Sequence, residues 1–394
     1  MNIILFDDNT WQRLLPLTYT RPVADIRIGI LTIKEKWQQY SNKVSFLSQE
    51  YLKAKYSAQY TKDNYYINGS ICPTDELFKT ISCLKAGEVL KDKSGKLIAL
   101  KHPESLIDFD DINNLPFKSK EVSLDLVSIN HTWDIFSKNA EAIAWDFKKL
   151  TSKKTSAPLN ETNTVIDASR VFVEQGAKVN CSILNPDGGY IYIGQDAEIM
   201  EGSIIRGSLA LCKNAVLKLG AKIYGATTIG PYSKVGGEVN NSVIQAYSNK
   251  GHDGFMGNTV IGQWCNIGAD TNTSNLKNNY ASVRLWDYNT KRFADTGLQF
   301  CGLVMGDHSK CAINTMFNTG TVVGVGANIF GAGFPKNFIP SFSWGSQITY
   351  KLPRVFEVAE IVMSRRNELL DGREKSILEH VFETTKEYRT WENK

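Results

Sequence analysis

The chain has 394 residues, enough for two domains or more, and a net charge of only +4. Its hydrophobic share of 42% and charged share of 22% are those of an ordinary soluble protein, and no basic run or aromatic-basic motif points to nucleic acid. No apolar stretch approaches the about 20 residues of a membrane span, and the N-terminus lacks the features of a signal peptide. The seven scattered cysteines contain no Cys-x-x-Cys pair, which argues against a disulfide framework or a zinc cluster. We expect a cytoplasmic enzyme with no membrane or nucleic-acid partner.

Residues 1–130 predict an α/β domain with a Rossmann-like open sheet, because short apolar runs alternate with helical patterns. In chain order, we predict a strand at Asn2–Phe6, a helix at 30–40, strands at Val44–Leu47 and 65–68, a helix at 75–84 and a hairpin of 88–91 with 96–100. Such sheets bind ligands beyond the carboxyl ends of their strands.

A second region, 131–162, predicts a helical bridge and a linker. Residues 133–150 have the apolar stripe of an amphipathic helix, and residues 151–162 are polar. The tail, 346–394, again has helical spacing, and we expect it to cap the domain before it.

Residues 163–345 predict a solenoid of short strands. An aliphatic residue recurs at every sixth position from Ile193 to Val235, again at Ile261 and Ile267, and more loosely from Met305 to Ile329. One inward side chain per flat face explains this period. The pattern is interrupted at 245–258 and at 270–302, and we expect both segments to project as loops that carry binding groups.

The motifs in and between these segments are Asn249-Lys250-Gly251-His252 in the first, then the coil at 265–270 (CNIGAD), then Asn275 in the second. This series resembles the acetyltransferase half of the bifunctional glucosamine-1-phosphate acetyltransferase/UDP-N-acetylglucosamine pyrophosphorylase family, in its divergent bacterial form. The resemblance is good over about 190–345 and weak over 1–130. It implies a left-handed parallel β-helix of hexapeptide repeats and a homotrimer.

The resemblance also assigns roles at the solenoid. His252 takes the place of the general base that removes a proton from the sugar ammonium, and histidine suits this because its ordinary pKa lies near working pH. Ala269 matches a residue whose backbone N–H faces the thioester carbonyl, and Asn275 matches the asparagine that orients the acyl group. Asn266 and Glu238 match sugar-binding residues, although a turn asparagine and a surface carboxylate are the alternative interpretations.

Phosphate groups of the substrates would need cationic partners. Lys250, Lys277 and Arg284 are candidates, as point charges or bidentate partners. The family has a lysine where this chain has Asn240, so one phosphate contact is either missing or supplied from elsewhere, with Lys234 and Lys250 as the candidates.

The N-terminal domain resembles sugar nucleotidyltransferases through Arg13-x-x-Pro-Leu-Thr, but the family's glycine-rich loop is absent. Arg13 and Arg21 are the candidates for holding phosphate. The family's magnesium-binding Gly-Asp falls at 68–70, where no carboxylate stands, so Asp7 and Asp8 are the nearby alternatives. Mg²⁺ and UTP are implied only if this domain is active.

The resulting expectation is acetyl transfer from acetyl-CoA to an amino-sugar 1-phosphate, by resemblance glucosamine-1-phosphate, with uridylyl transfer as a second activity in UDP-N-acetylglucosamine synthesis. The alternatives are a nucleotidyltransferase only, and a non-catalytic trimeric scaffold that binds nucleotides or sugar phosphates. A zinc lyase would need three converging histidines, and the solenoid contains only His252 and His308. The sequence leaves the identity of the sugar phosphate open.

Overall fold

The computed structural model describes residues 1–103 and 118–393, so residues 104–117 of the predicted N-terminal domain, and Lys394, lie outside the described part. The N-terminal domain is built on a mixed sheet with the strand order β2-β1-β3-β5-β4-β6. Its strands are β1 (Asn2–Phe6), β2 (Val44–Leu47), β3 (Asn64–Asn68), β4 (Glu88–Asp92), β5 (Leu97–His102) and β6 (Lys118–Val122). The first three strands are mutually parallel, and β5 is antiparallel to β3. The carboxyl ends of β1 and β3 therefore meet at one end of the sheet.

Short helices flank this sheet: α1 (Thr10–Arg13), α2 (Ile33–Trp37) and α3 (Asp75–Ser82), with 3₁₀ turns at Leu17–Tyr19, Val23–Asp25 and Glu50–Leu52. The predicted helix at 30–40 is wrong in its start, because Thr32 and Glu35 form a capping box that begins α2 only at Ile33. Trp37 is fully buried, so the apolar face of α2 packs into the domain core.

Two helices, α4 (Asp134–Ser137) and α5 (Asn139–Thr151), lie between the N-terminal sheet and the solenoid. Asp146 of α5 accepts the Ile30 backbone N–H at 2.7 Å and forms a fully buried ion pair with Lys36. Asn139 donates to the carbonyl of Ala226 in the solenoid at 2.9 Å. The helix pair thus binds both halves of the molecule.

The solenoid is a left-handed parallel β-helix of about ten turns with three faces. The strands of face A are Thr164–Val165, Ile183–Asn185, Ile204–Arg206, Lys222–Tyr224, Glu238–Asn240, Phe255–Gly257, Asn272–Thr273 and Met316–Phe317. Those of face B are Val171–Val173, Ile191–Ile193, Leu209–Leu211, Thr227–Ile229, Val243–Ile244, Val260–Ile261, Val304–Met305, Val322–Val323 and Phe338–Ile339. Those of face C are Lys178–Val179, Glu198–Ile199, Val216–Leu217, Lys234–Val235, Asn249–Lys250, Lys310–Cys311, Asn328–Ile329, Ser343–Trp344 and the antiparallel Ile348–Thr349.

The expected loop at 245–258 is wrong, because this segment continues the coil. Its strands Asn249–Lys250 and Phe255–Gly257 pair with neighbouring turns, and Lys250 stacks in register beneath Val235. Its inward side chains are those of Ile244, Lys250 and Met256, and shorter steps of four or five residues on either side, at Val239 and Ile261, shift the six-residue phase. The inward position of Lys250 made the coil look interrupted in the sequence.

The segment 270–302 does leave the coil, and it carries an antiparallel hairpin of Arg284–Asp287 with Arg292–Asp295. Tyr288 of the hairpin packs edge-on against Tyr19 of the N-terminal domain, with 5.5 Å between ring centroids. Trp286 stacks on Phe338 of the solenoid at 4.2 Å. The insertion is therefore anchored between the two halves.

The C-terminal tail contains α6 (Leu352–Ser364), α7 (Gly372–Thr384) and 3₁₀ turns at Lys386–Tyr388 and Thr390–Asn393. Phe382 of α7 packs against Phe342 in the last turns of the solenoid. Glu374 pairs with Lys55 of the N-terminal domain. The tail thus covers the end of the coil and also ties it to the first domain. No helix in the described ranges combines the length and apolarity needed to cross a membrane.

Candidate functional site

The first candidate site lies at the carboxyl ends of β1 and β3, where open α/β sheets bind ligands. The Asp8 carboxylate accepts the backbone N–H of Thr10 at 2.8 Å and the side-chain amide of Asn68 at 2.8 Å. Burial by itself would raise the pKa of Asp8, but the contact with Thr10 and the charge of Lys96 hold that pKa below its ordinary value. Asp8 is therefore an ionised, half-buried carboxylate at this end of the sheet.

Lys96 is a member of this site that sequence reasoning missed. Its ammonium donates to Ser70 Oγ at 2.9 Å and to Asn130 Oδ1 at 2.7 Å. Burial lowers the pKa of Lys96, and the negative charge of Asp8 acts against that shift. No motif marks this lysine, because only the hairpin of β4 and β5 brings it to the end of β3.

Two other predicted residues border the site differently. Asp7 is buried, where it accepts the Val23 N–H at 3.0 Å and a hydrogen bond from the Ser48 hydroxyl. Burial raises the pKa of Asp7 to about 7. Arg13 is exposed on α1. Its positive charge lowers the pKa of Lys96, an effect smaller than those of burial and of Asp8. Arg13 therefore faces the same space as Lys96, whereas Asp7 faces the domain core.

Arg21, also predicted to hold phosphate, lies instead at the interface with the solenoid. Its side chain is 3% exposed, and its Nη2 donates to Asp307. Thr20 Oγ1 donates to the same carboxylate oxygen at 2.6 Å. In this arrangement the guanidinium binds the second domain and does not reach the end of β1.

The donor set at the end of β1 suits a magnesium ion that is held largely by a substrate. Asp8 supplies one carboxylate, and the described part of the chain has no group of three His, Cys, Asp or Glu placed to hold a metal. Mg²⁺ in nucleotide sites is commonly held by one or two carboxylates plus substrate phosphates. Asp8 is the residue that would hold such an ion.

The second candidate site follows the corner of the solenoid between faces C and A. His252 is exposed in this corner. The next turn lies directly against it, because Asp270 N–H donates to the carbonyl of Asp253 at 3.1 Å. Ala269 is in that next turn, about 4.8 Å along the axis, and its N–H has no acceptor within the described ranges. The predicted base and the predicted oxyanion donor thus lie on adjacent turns.

Glu238 opens the face A strand beside this corner. Its Oε1 accepts the Tyr224 hydroxyl at 2.6 Å, and its Oε2 is 4.0 Å from Lys222 Nζ. All three line an open groove of about 1040 Å³ that also contains Arg206. Lys222 was not a predicted site residue, yet it is the cation that forms an ion pair with Glu238, whereas Lys234 lies on face C.

Lys250 does not project from this corner. Its side chain is 2% exposed, and its ammonium donates to the carbonyls of Gly236 at 3.0 Å and His252 at 2.8 Å. The nitrogen that would contact a phosphate is directed into the solenoid.

Asn275 lies at a different corner, after the end of the face A strand. Its amide donates to Asn258 Oδ1 at 2.8 Å, and the residue is 9% exposed. Asn266 is exposed on face C, where its backbone bridges that of Asn249. A single chain therefore places Glu238, His252 and Ala269 on three successive turns along one corner, and it leaves Asn275 across face A from them.

The remaining candidates belong to other surroundings. In the 270–302 insertion, Lys277 donates to the carbonyl of Ser282 at 2.6 Å, and Arg284 donates to that of Phe293 at 2.6 Å. His308 lies at the corner of faces B and C against the N-terminal domain, where burial lowers its pKa to about 3. It does not share a corner with His252.

Comparison with known proteins finds similarity to enzymes that act on sugar phosphates. Residues 3–155 match the family model for sugar nucleotidyl transferases. The bifunctional protein GlmU of Methanocaldococcus jannaschii is 32% identical over 87 residues, which cover 22% of this chain and 21% of that protein. A bifunctional sugar-1-phosphate nucleotidylyltransferase/acetyltransferase of Sulfurisphaera tokodaii is 29% identical over 144 residues, 36% of this chain and 35% of that protein.

The chain thus spans about a fifth and a third of the length of these two curated relatives. The family model covers the N-terminal sheet, including Asp8 and Lys96, and extends through α5. Residues 3–155 are thus similar to sugar nucleotidyl transferases, and parts of the chain are similar to two bifunctional proteins, one of them a nucleotidylyltransferase/acetyltransferase.

Proposed function

We propose that the chain is a bifunctional enzyme that transfers a nucleotidyl group in its N-terminal domain and an acetyl group on its solenoid. The observation that carries the proposal is the nearness of the Asp8 carboxylate to the Lys96 charge at the carboxyl ends of β1 and β3, inside the region that matches sugar nucleotidyl transferases. A carboxylate and two cations beside the expected ligand position are the groups that a nucleoside triphosphate needs.

In the nucleotidyl step, a phosphate oxygen of a sugar 1-phosphate attacks the α-phosphorus of UTP, and pyrophosphate leaves. Lys96 and Arg13 would balance the charge that develops on the phosphate oxygens. Hydrogen bonds to Ser70 and Asn130 hold the Lys96 ammonium in one position before substrate binds. Bound Mg²⁺ would supply further charge neutralisation beside Asp8.

In the acetyl step, the amine of an amino-sugar 1-phosphate, by resemblance glucosamine-1-phosphate, attacks the thioester carbon of acetyl-CoA. His252 would accept the proton that the amine loses, the C–S bond breaks, and the CoA thiolate leaves. Ala269 N–H would donate to the carbonyl oxygen as its charge develops. Glu238 would hold the substrate ammonium, and Lys222 in the same groove is our candidate for the sugar phosphate.

Completion of the acetyl site would require a second copy of the chain. His252 and Asn275 occupy different corners, with face A between them. If both act on one substrate, each must come from a different copy, as in the homotrimer that the family resemblance implies.

Two activity assays on the full chain test the proposal. The first measures UTP-dependent release of pyrophosphate with sugar 1-phosphates and Mg²⁺, and we expect Lys96→Met to lose most of that release. The second measures acetylation of glucosamine-1-phosphate, which His252→Ala should abolish while it leaves pyrophosphate release intact. Silence of the first assay with every sugar 1-phosphate would refute the nucleotidyl activity, and unchanged acetylation by His252→Ala would refute the assignment of the base.

A further inference from the structure

Lys250 occupies an inward position that the rest of face C gives to apolar side chains. It is paired in register with Val235 in the turn before, and Ile267 follows in the turn after. Only 2% of Lys250 is exposed, so its four-carbon chain lies within the stacked core. Its neighbours would pack as well, or better, against a methionine or a leucine.

The buried ammonium has backbone carbonyls as its hydrogen-bond partners. Nζ donates to Gly236 at 3.0 Å in the turn before and to His252 at 2.8 Å in the corner that follows. Burial lowers the pKa of Lys250 to about 8, which the charges of Asp253 and Asp270 only partly oppose. A buried cation without a directly bonded carboxylate costs stability, so its retention at a core position needs another explanation.

The corner at 236–237 is built around this ammonium. Gly237 has φ of +72°, and a Cβ there would lie 2.9 Å from Lys250 Nζ and 2.9 Å from the carbonyl oxygen of His252. The ammonium, the glycine corner and the His252 backbone therefore form one close-packed unit. Glu238 follows directly, so the same unit also sets the start of the strand that carries the candidate ammonium-binding carboxylate.

Gly251 and Gly254 flank the histidine corner, and Gly254 has φ of +109°. A segment with glycines at both ends has little conformational preference of its own. The hydrogen bond from Lys250 to the carbonyl of His252 is a tether from the core to this segment.

We propose that Lys250 is a positioning residue that acts from inside the solenoid by holding the His252 backbone and the 236–237 corner in register. The proposal rests on the acetyl transfer assigned to His252 above. It replaces the expectation that Lys250 contacts a substrate phosphate.

The test is Lys250→Met in the full chain, because methionine fills the core slot and donates no hydrogen bond. We expect kcat for acetylation to fall about 10- to 100-fold, the effect of a base displaced by about 1 Å, with KM for the sugar phosphate within about threefold. A raised KM with unchanged kcat would mean that Lys250 binds phosphate, and unchanged kinetics would mean that it does nothing; either result overturns the proposal. Lys178→Met, which removes an exposed lysine from the same face, is the matched control and should retain full activity.

Backbone hydrogen exchange gives a reading that does not depend on activity. The Glu238 and Asp270 amides donate to the carbonyls of Gly254 at 3.3 Å and Asp253 at 3.1 Å, so their exchange reports the order of this segment. It should be faster in Lys250→Met than in the wild type, while exchange in the face B strands is unchanged. Faster exchange in a protein that fails to acetylate any amino sugar would refute the proposed acetyl transfer and leave the positioning role standing. Unchanged exchange of the Glu238 and Asp270 amides would overturn the positioning role even in an active enzyme.

Discussion

Removal of the Asp307 carboxylate should loosen the contact between the two domains. Asp307 is 3% exposed and accepts hydrogen bonds from Arg21 and from Thr20 of the N-terminal domain, and from the Gln263 N–H at 2.8 Å within the solenoid. Arg21 Nη1 has no hydrogen-bond partner among the described residues, and its distance to Asp25 is 3.9 Å. Asp307→Ala would thus leave a buried guanidinium without its principal counter-ion.

Loss of one partner from a buried ion pair typically costs about 3–5 kcal/mol. For a chain of this length that unfolds as one unit, this corresponds to a fall in Tm of about 5 °C. Scanning calorimetry measures it, and separation of the melting peak into two would show that the domains have uncoupled. The double variant Arg21→Met/Asp307→Ala should lose less stability than the sum of the single variants, because the stranded charge is gone. A loss below about 1 kcal/mol in Asp307→Ala, or strict additivity, would refute the reasoning.

Three further predictions concern buried groups. Burial raises the pKa of Asp7 from 3.8 to about 7, so the wild type should lose stability as pH rises from about 4 to 7. Denaturant titrations of Asp7→Asn should show no such loss, and at pH 8 this variant should be up to about 4 kcal/mol more stable than the wild type. Burial lowers the pKa of Lys250 from 10.5 to about 8, so the wild type should gain up to about 3 kcal/mol of stability between pH 8 and 10.5. Lys250→Met should show no such gain, and an equal gain in the variant would contradict a buried, charged lysine. Gly237→Ala should lower Tm and acetylation much more than Gly220→Ala, which has a similar positive φ but open space around the added Cβ; equal effects would mean that backbone strain alone matters.

Periodicity was sufficient to predict the solenoid, because each inward position reports burial directly. The same criterion failed at 245–258, because steps of four and five residues at Val239 and Ile244 shift the phase, and Lys250 then occupies an inward position. A period search that tolerates these shorter steps and one polar residue in an inward position would have recovered this turn. Such a search cannot explain why a lysine occupies this position. The explanation depends on the carbonyls of Gly236 and His252, which only the stacking of turns brings together.

The N-terminal site was predicted less completely for a physical reason. Asp8 lies next to its strand in sequence, so the rule for open sheets located it. Lys96 and Asn130 reach Ser70 only through the hairpin and the chain that follows it, and no local pattern encodes that contact. The prediction for Arg21 was wrong for the opposite reason: a local motif resembled that of sugar nucleotidyltransferases, whereas the Arg21 side chain binds Asp307 of the solenoid.

The acetyl site shows a third limit. Local motifs marked His252, Ala269 and Glu238, and the winding of the coil places them along one corner. The distance of Asn275 from that corner depends on where the insertion leaves the coil, which spacing alone does not reveal.

The most direct measurement is a structure of the protein determined with UTP, Mg²⁺ and a sugar 1-phosphate. We expect nucleotide phosphates at the carboxyl ends of β1 and β3, with an oxygen within hydrogen-bond distance of Lys96 Nζ and the metal beside Asp8. Nucleotide bound elsewhere, or none at millimolar concentration, would contradict the central claim that this end of the sheet is a nucleotidyl transfer site.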